Sequence, residues 1–361
     1  MSSRMAVHGE APPTRRVRVV AFLFTVALIV ATLLVLEFVA RWSGKFATYG
    51  ERNGIGYISP YALPGVNWFF KHKPGPHQRV EAEFSESVAV NAEGFVDAEW
   101  TLAKPPDEIR IVTLGDSFVE GVGSLRPDAN YPRMLEAILR SAVGGRLQIT
   151  VMNGGIAGSD PVFNLQSLLR VFMKYEPDII IQSLNSTDWL RDIPERGGLS
   201  RFNEDGTVKI QPPWFEPIYI NSHLFRAELS TLRYGDELMS HSELKHRRGE
   251  AAKTICDVFA IERSLGQQNA AELVVVMQPM VGELRPNKEP QHWDELMKCA
   301  RARATKVIEL REELLAMASS ASLARLYWPV DQHFKSDGYR AYARIVATAI
   351  EPLLRTHRVK G

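Results

Sequence analysis

Ile109-Arg110-Ile111-Val112-Thr113-Leu114-Gly115-Asp116-Ser117-Phe118 is the stretch on which the fold turns. Its β-branched apolar run, Ile109 to Leu114, predicts a buried strand. Gly115 then breaks the strand and places Ser117 where a helix can begin. Working outward, Tyr131 to Ala142 carries apolar residues at 131, 134, 135, 138 and 139, the spacing of a helix face. Leu147 to Met152 predicts the next strand, Val162 to Tyr175 a helix, and Asp178 to Leu184 another buried strand. The pattern breaks between Asp188 and about Glu250, where Gly197-Gly198, Asp205-Gly206 and Pro212-Pro213 are turn signals. It resumes with a helix over Ala251 to Gln268, a strand over Leu273 to Met277 and a long helix over His292 to Ala318. Leu323 to Tyr327 predicts a last strand, and Asp337 to Leu354 a closing helix with Ser336 as its N-cap. Alternating strands and helices imply a three-layer α/β domain with a mostly parallel sheet. Its expected extent is residues 105–355, with an insertion at about 190–250 that shapes the binding site.

Two fragments carry the chemistry. Ser117 follows a strand, where a tight turn can lift its Oγ from the sheet and leave its own N–H free at a helix start. Gly115, Gly121 and Gly123 permit that turn. More than two hundred residues later stands Asp331-Gln332-His333. Together they supply a nucleophile, Ser117, a base, His333, and an orienting carboxylate, Asp331. Each fragment also has a plain structural role, since Asp116-Ser117 is an ordinary helix cap and His333 an ordinary surface histidine.

The chain has 361 residues, 45% hydrophobic and 24% charged, and a formal net charge of +1. This composition suits one large domain with an appendage and gives no basic footprint for nucleic acid. Cys256 and Cys299 form no CxxC, and no histidines stand at metal-ligand spacing, so neither a metal nor another cofactor is expected. The two cysteines are either a disulfide or a pair of buried thiols, and the thiols are the preferred reading.

The N-terminus carries the compartment signal. Val19 to Leu36 contains no charged residue, between Arg18 and Glu37. That length suits a helix crossing a hydrocarbon core of roughly 30 Å. A cleaved signal peptide has a shorter apolar region and a small-residue cleavage site, which Phe38-Val39-Ala40 does not supply. A single-pass anchor is therefore expected over about 19–40. Arg4, Arg15, Arg16 and Arg18 ahead of it favour a cytoplasmic N-terminus over 1–18 and a periplasmic or other extracytoplasmic remainder. Residues 41–104, rich in Gly, Pro and aromatics, predict a membrane-proximal stalk passing into short strands or turns that pack against the main domain.

Val90-Asn91-Ala92-Glu93-Gly94-Phe95, Lys104-Pro105 and Arg110 to Phe118 together resemble the SGNH/GDSL hydrolase superfamily, in particular its membrane-anchored bacterial members. The resemblance covers about residues 90–350 in four ordered blocks. It implies a flavodoxin-like fold, with Ser117 as nucleophile and an oxyanion donor in its N–H. Asn153-Gly154-Gly155-Ile156-Ala157-Gly158 resembles the second block, which implies a second donor in the Gly158 N–H. Asp331-Gln332-His333 resembles the fourth, with a two-residue acid-to-histidine spacing where three is commoner. The third block departs from the family's Gly-x-Asn-Asp: here it is Leu184-Asn185-Ser186-Thr187-Asp188. Either Thr187 or Asn185 takes the oxyanion role, and Asn185 is the better chemical match.

The resemblance and the anchor imply a serine esterase acting on acyl esters, O-acetyl above all, of envelope or exported polysaccharide. An O-acyltransferase would use the same residues. The altered third block also leaves open a glycan-binding protein without turnover. The anchor and insertion leave open a structural role with envelope protein partners, for which Lys245-His246-Arg247-Arg248 is one candidate surface, although a solvated loop is the preferred reading of that run.

Overall fold

The computed structural model describes residues 14–48, 51, 72–144, 147–209, 212–234, 238–284, 290–317 and 320–357. Gly54-Ile55-Gly56, Pro60, Pro64-Gly65 and Trp68-Phe69-Phe70 of the expected stalk lie outside these. The elements in chain order are α1 (Arg15–Ser43), β1 (Gly75–Val80), β2 (Ser85–Val90), β3 (Glu108–Gly115), α2 (Ser117–Glu120), α3 (Tyr131–Val143), β4 (Gln148–Gly155) and α4 (Pro161–Ser167). They continue with β5 (Ile179–Leu184), α5 (Ile193–Arg196), α6 (Glu216–Asn221), α7 (His223–Thr231), α8 (His241–Gln268) and β6 (Glu272–Met277). The last are α9 (Trp293–Arg303), β7 (Lys306–Glu309), α10 (Leu310–Met317), α11 (Ser320–Leu326) and α12 (Ser336–His357).

The chain divides into two compact units, one of Met1–Ser59 with Pro212–His241 and one of Pro60–Gln211 with Ser242–Gly361. The first contains α1, α6 and α7. Its α1 is long and apolar enough to cross a membrane, with a mean hydropathy of 3.0 in its most apolar window. Part of the expected insertion, residues 212–241, thus packs with the N-terminal helix.

The second unit is built on a five-stranded parallel sheet in the order β4-β3-β5-β6-β7. Alternate residues of each strand face opposite layers. Ile109, Ile111, Ile149, Val151, Ile179 and Ile181 pack under α3 and α12, where Tyr131 and Tyr342 stack at 3.9 Å. Val112, Leu114, Met152, Ile180 and Val275 pack on the other face against α4, α8 and α9. Both faces are covered, which is why these strands read as continuous apolar runs. The expected three-layer α/β architecture is the one observed. Strand order reverses between β3 and β5, and such sheets form a crevice at the carboxyl ends of the strands there.

Several elements differ from the sequence expectation. The long helix over 292–318 is two helices, α9 and α10, separated by edge strand β7. Lys306-Val307-Ile308-Glu309 pairs with β6 through two β-branched residues, but helical periodicity on both sides hides so short a strand. The strand expected over Leu323 to Tyr327 is instead α11, with only an isolated bridge from Tyr327 to Phe334. An apolar run that short does not distinguish strand from helix. Helix α8 starts at His241, ten residues before Ala251. Its polar first turns are joined by the Arg247–Glu243 pair at 2.7 Å and anchored by buried Leu244. Ser336 is not an N-cap but the first residue of α12, and its hydroxyl donates to the Ser124 carbonyl at 2.8 Å.

The preference for free thiols is also corrected, because Cys256 on α8 and Cys299 on α9 form a disulfide across a separation of 43 residues, their Cα atoms 5.9 Å apart. Loop-closure entropy over that separation is worth about 4 kcal/mol in the unfolded-chain account. Denatured, unreduced protein is therefore expected to show no thiol reactive toward a maleimide. Replacing both residues by Ser is expected to lower the unfolding free energy by roughly that amount, measured by urea denaturation of the domain.

Candidate active site

The nucleophile turn is set by local sequence and one close approach. Strand β3 ends at Gly115, and the Asp116 carboxylate caps α2 by accepting the Phe118 N–H at 3.0 Å. Ser117 is the first helical residue, so its N–H has no intrahelical acceptor. The turn closes at Gly121, where φ is +99°. Beneath it runs the end of β4, so near that a Cβ on Gly155 would lie 2.1 Å from the Glu120 nitrogen.

Ser117, His333 and Asp331 are brought together although they are distant in sequence. The Ser117 Oγ lies 2.7 Å from His333 Nε2, and His333 Nδ1 lies 2.6 Å from Asp331 Oδ1. A carboxylate only accepts, so Nδ1 carries the proton, Nε2 is the acceptor and the serine hydroxyl donates to it. This is the protonation pattern of a serine poised for deprotonation. Burial raises the Asp331 pKa, but the His333 hydrogen bond and charge, with help from the His333 N–H and Arg79, hold it below the ordinary value of 3.8. A lowered folded-state value means that its stabilisation is present above 3.8 and fades only as the pH falls through the lowered value.

The short acid-to-histidine spacing has a backbone explanation. Gln332 sits at φ +71°, so the chain doubles back between Asp331 and His333 and the carboxylate also accepts the His333 N–H at 3.2 Å. Bonds from the Gln332 N–H to the Trp328 carbonyl (3.0 Å) and from the Trp328 N–H to the His333 carbonyl (2.9 Å) close the loop.

The remaining residues named from sequence occupy the same end of the sheet. Gly158, between β4 and α4, has φ +75°, and its carbonyl accepts from Arg196. Asn185 directly follows β5, and its Nδ2 donates to Asp116 Oδ2 at 2.8 Å. Its Oδ1 accepts from the Thr187 N–H at 2.9 Å and from the Thr187 hydroxyl at 2.8 Å. Thr187 therefore spends its single proton on Asn185, whereas the amide retains a second N–H. Asp188 accepts the Asn185 N–H at 2.8 Å. Burial and the charges of Asp116 and Asp192 push the Asp188 carboxyl well above the ordinary range. Burial likewise raises Asp116 against the hydrogen bonds from Phe118 and Asn185. Among the described residues no group of three or more His, Cys, Asp or Glu is placed to hold a metal ion.

Sequence reasoning missed the carboxylates that hold these loops. Glu83, at the turn between β1 and β2, accepts the N–H groups of Val330 and Asp331, each at 2.7 Å. Glu86 on β2 accepts the N–H groups of Gly123 (3.2 Å) and Leu125 (3.1 Å). Buried Glu120 accepts the Ala157 N–H at 2.6 Å and bonds His72 at 2.9 Å. Burial raises its pKa, but His72, Arg79 and Ala157 bring it below the ordinary value. The hairpin expected to lead out of a stalk thus braces the acid-histidine and nucleophile loops. No local motif announces such contacts, because each joins residues far apart in the chain.

Fold and site together define a class, a doubly wound α/β protein with a Ser-His-Asp array at the carboxyl ends of its strands. No family model matches the chain, and no curated protein matches it. Among solved structures it is similar to a two-domain esterase active on acetylated mannans, with 13% identity and a TM-score of 0.40. That match covers 68% of this chain and 49% of the other, so the chain spans about half the length of that protein. An acetyl xylan esterase is similar at 14% identity and TM-score 0.42, with 67% and 100% covered. The esterase EstA from Pseudoalteromonas sp. is similar at 13% identity and TM-score 0.40, with 68% and 98% covered. Likeness at this level does not transfer an activity; the side chains must carry it.

If the remaining Asn185 Nδ2–H is an oxyanion donor, Asn185→Ala lowers kcat for aryl acetate hydrolysis by about a hundred- to a thousandfold, and Thr187→Val by much less. Glu83→Ala is expected to lower kcat with little change in KM. Glu83→Gln should recover part of that loss, because its amide oxygen still accepts the two N–H groups.

Proposed function

We propose that this protein is a serine esterase that works through an acyl-serine intermediate, with Ser117 as nucleophile, His333 as general base and Asp331 as orienting carboxylate. The observation that carries the reading is the unbroken hydrogen-bond chain from Ser117 Oγ through both nitrogens of His333 to Asp331. In the first step His333 Nε2 takes the hydroxyl proton as Oγ bonds the ester carbonyl carbon. The N–H groups of Ser117 and Gly158 and the remaining Asn185 Nδ2–H receive the negative oxygen. Collapse expels the alcohol, which takes the proton from His333, and leaves the acyl group on Ser117. Water then attacks with His333 as base, returning the serine and releasing the acid. A sugar hydroxyl in place of water would make the same residues an O-acyltransferase.

The proposed substrates are O-acyl, chiefly O-acetyl, esters of envelope or exported polysaccharide, with the domain held outside the cytoplasm by α1. The basic residues ahead of the apolar run Val19 to Leu36 support that orientation. So does the Cys256–Cys299 bond, which suits an oxidising compartment.

Wild type is expected to hydrolyse 4-nitrophenyl acetate and to react covalently with a fluorophosphonate probe, and Ser117→Ala to lose both. His333→Ala should reduce hydrolysis by several orders of magnitude. Folded wild type that neither turns over ester nor labels would overturn the reading. Acetyl transfer to an added oligosaccharide in preference to water would identify the transferase.

A further inference from the structure

The first compact unit exposes large apolar side chains besides those of α1. Trp214 and Leu232 are 82% and 64% exposed, and Ile218 and Ile220 on α6 are also exposed. In the same segment Phe215 meets Trp214, Phe225 and Tyr234 at 5.9, 6.0 and 6.3 Å. The segment is ordered around an apolar cluster yet turns further apolar side chains outward.

Its attachment to α1 sets its depth. Glu37, the first charged residue after the apolar run, accepts the Ser222 hydroxyl at 2.8 Å and the N–H groups of His223 (3.0 Å) and Leu224 (2.9 Å). One turn later, Arg41 donates to the Asn221 carbonyl at 2.9 Å and to Glu37 at 2.9 Å. A carboxylate at the edge of hydrocarbon is costly unless its acceptor sites are filled, and here the start of α7 fills them. Residues 221–224 are thus bonded to positions 37 and 41, about 1.5 and 7.5 Å of helix rise beyond the apolar run. The headgroup layer is roughly 5 to 7 Å deep on each side of the hydrocarbon, so this junction spans it. Phe46 and Glu51 extend the attachment, the Phe46 carbonyl accepting from buried Arg226 at 3.0 Å and Glu51 pairing with the same guanidinium at 3.0 Å.

We propose that residues 214–232 form an interfacial collar, lying in the headgroup region of the bilayer that α1 crosses, with Trp214, Ile218, Ile220 and Leu232 as its lipid-facing side chains. This rests on reading α1 as a membrane span. Trp214 has the apolar ring and single N–H that suit the boundary between acyl chains and water, as does Trp42 at the same end of α1. Arg226 is paired with Glu51 and Arg41 with Glu37, and the exposed polar residues of 214–232, Asn221, Glu228, Ser230 and Thr231, include no cation. Attachment by burial of apolar surface therefore needs no anionic lipid.

The test uses the full chain in phosphatidylcholine nanodiscs, with nitroxides introduced one at a time by Leu28→Cys, Trp214→Cys and Ile218→Cys in a Cys256→Ser/Cys299→Ser background. Circular dichroism checks that each variant is folded. Collision with oxygen and with a water-soluble nickel chelate reports depth. The expected result is deep burial at 28 and, at 214 and 218, loss of nickel collisions with high oxygen access. Quenching by brominated phosphatidylcholine in the otherwise native chain supplies an independent reading, and Trp214→Phe is expected to remove part of the quenchable emission. Lipid exposure at 28 with full nickel access at 214 and 218 would overturn the collar while leaving the span intact. Water exposure at 28 would overturn both. Shielding of 214 and 218 from both reagents would point to a protein partner and overturn the lipid assignment.

Discussion

The site depends on one steric constraint, the contact between the carboxyl end of β4 and the single turn of α2. The backbone of Gly155 lies against Val119 and Glu120 so closely that no side chain fits between them. That contact seats the turn on which Ser117 stands. It also lets the chain after β4 bring Gly158 toward the same edge of the sheet. Because β3 lies between β4 and β5, the residues that follow all three strands converge there. Asp116 joins two of these strand ends directly, capping α2 and receiving Asn185.

A second pattern is the use of carboxylates to hold backbone rather than to meet substrate. Glu83, Glu86, Glu120 and Asp188 each accept one or more main-chain N–H groups from loops around the site. A carboxyl oxygen has lone pairs for more than one main-chain N–H, and the tie is lost if the loop moves away. Loops without regular hydrogen bonding of their own are thereby given fixed positions. The hairpin of β1 and β2 contributes two of the four, which makes it part of the framework of the candidate site.

Legibility in the sequence followed the range of the interactions. Strands β3 to β6 were readable because burial on both faces demands continuous apolar runs. The serine turn was readable because strand, glycine, cap and helix start are consecutive residues. Strand β7 was hidden because only four residues pair and the helices on both sides impose a different period. Helix α11 was misread because five apolar-rich residues satisfy either period. That the single Thr187 hydroxyl proton goes to Asn185 Oδ1 depends on the folded turn and was not readable from the sequence.

The sequence by itself determined the α/β layering, the N-terminal apolar helix, and which serine, histidine and aspartate could work together, since each follows from periodicity or from neighbouring residues. Only the tertiary structure decided the strand order, the Cys256–Cys299 pairing, the left-handed Gln332 that makes the short Asp331–His333 spacing workable, and the packing of residues 212–241 with α1. Those outcomes depend on contacts between segments tens to hundreds of residues apart. Such contacts are selected by the balance of burial, hydrogen-bond satisfaction and chain entropy over the whole fold, and that balance leaves no periodic trace in the local sequence.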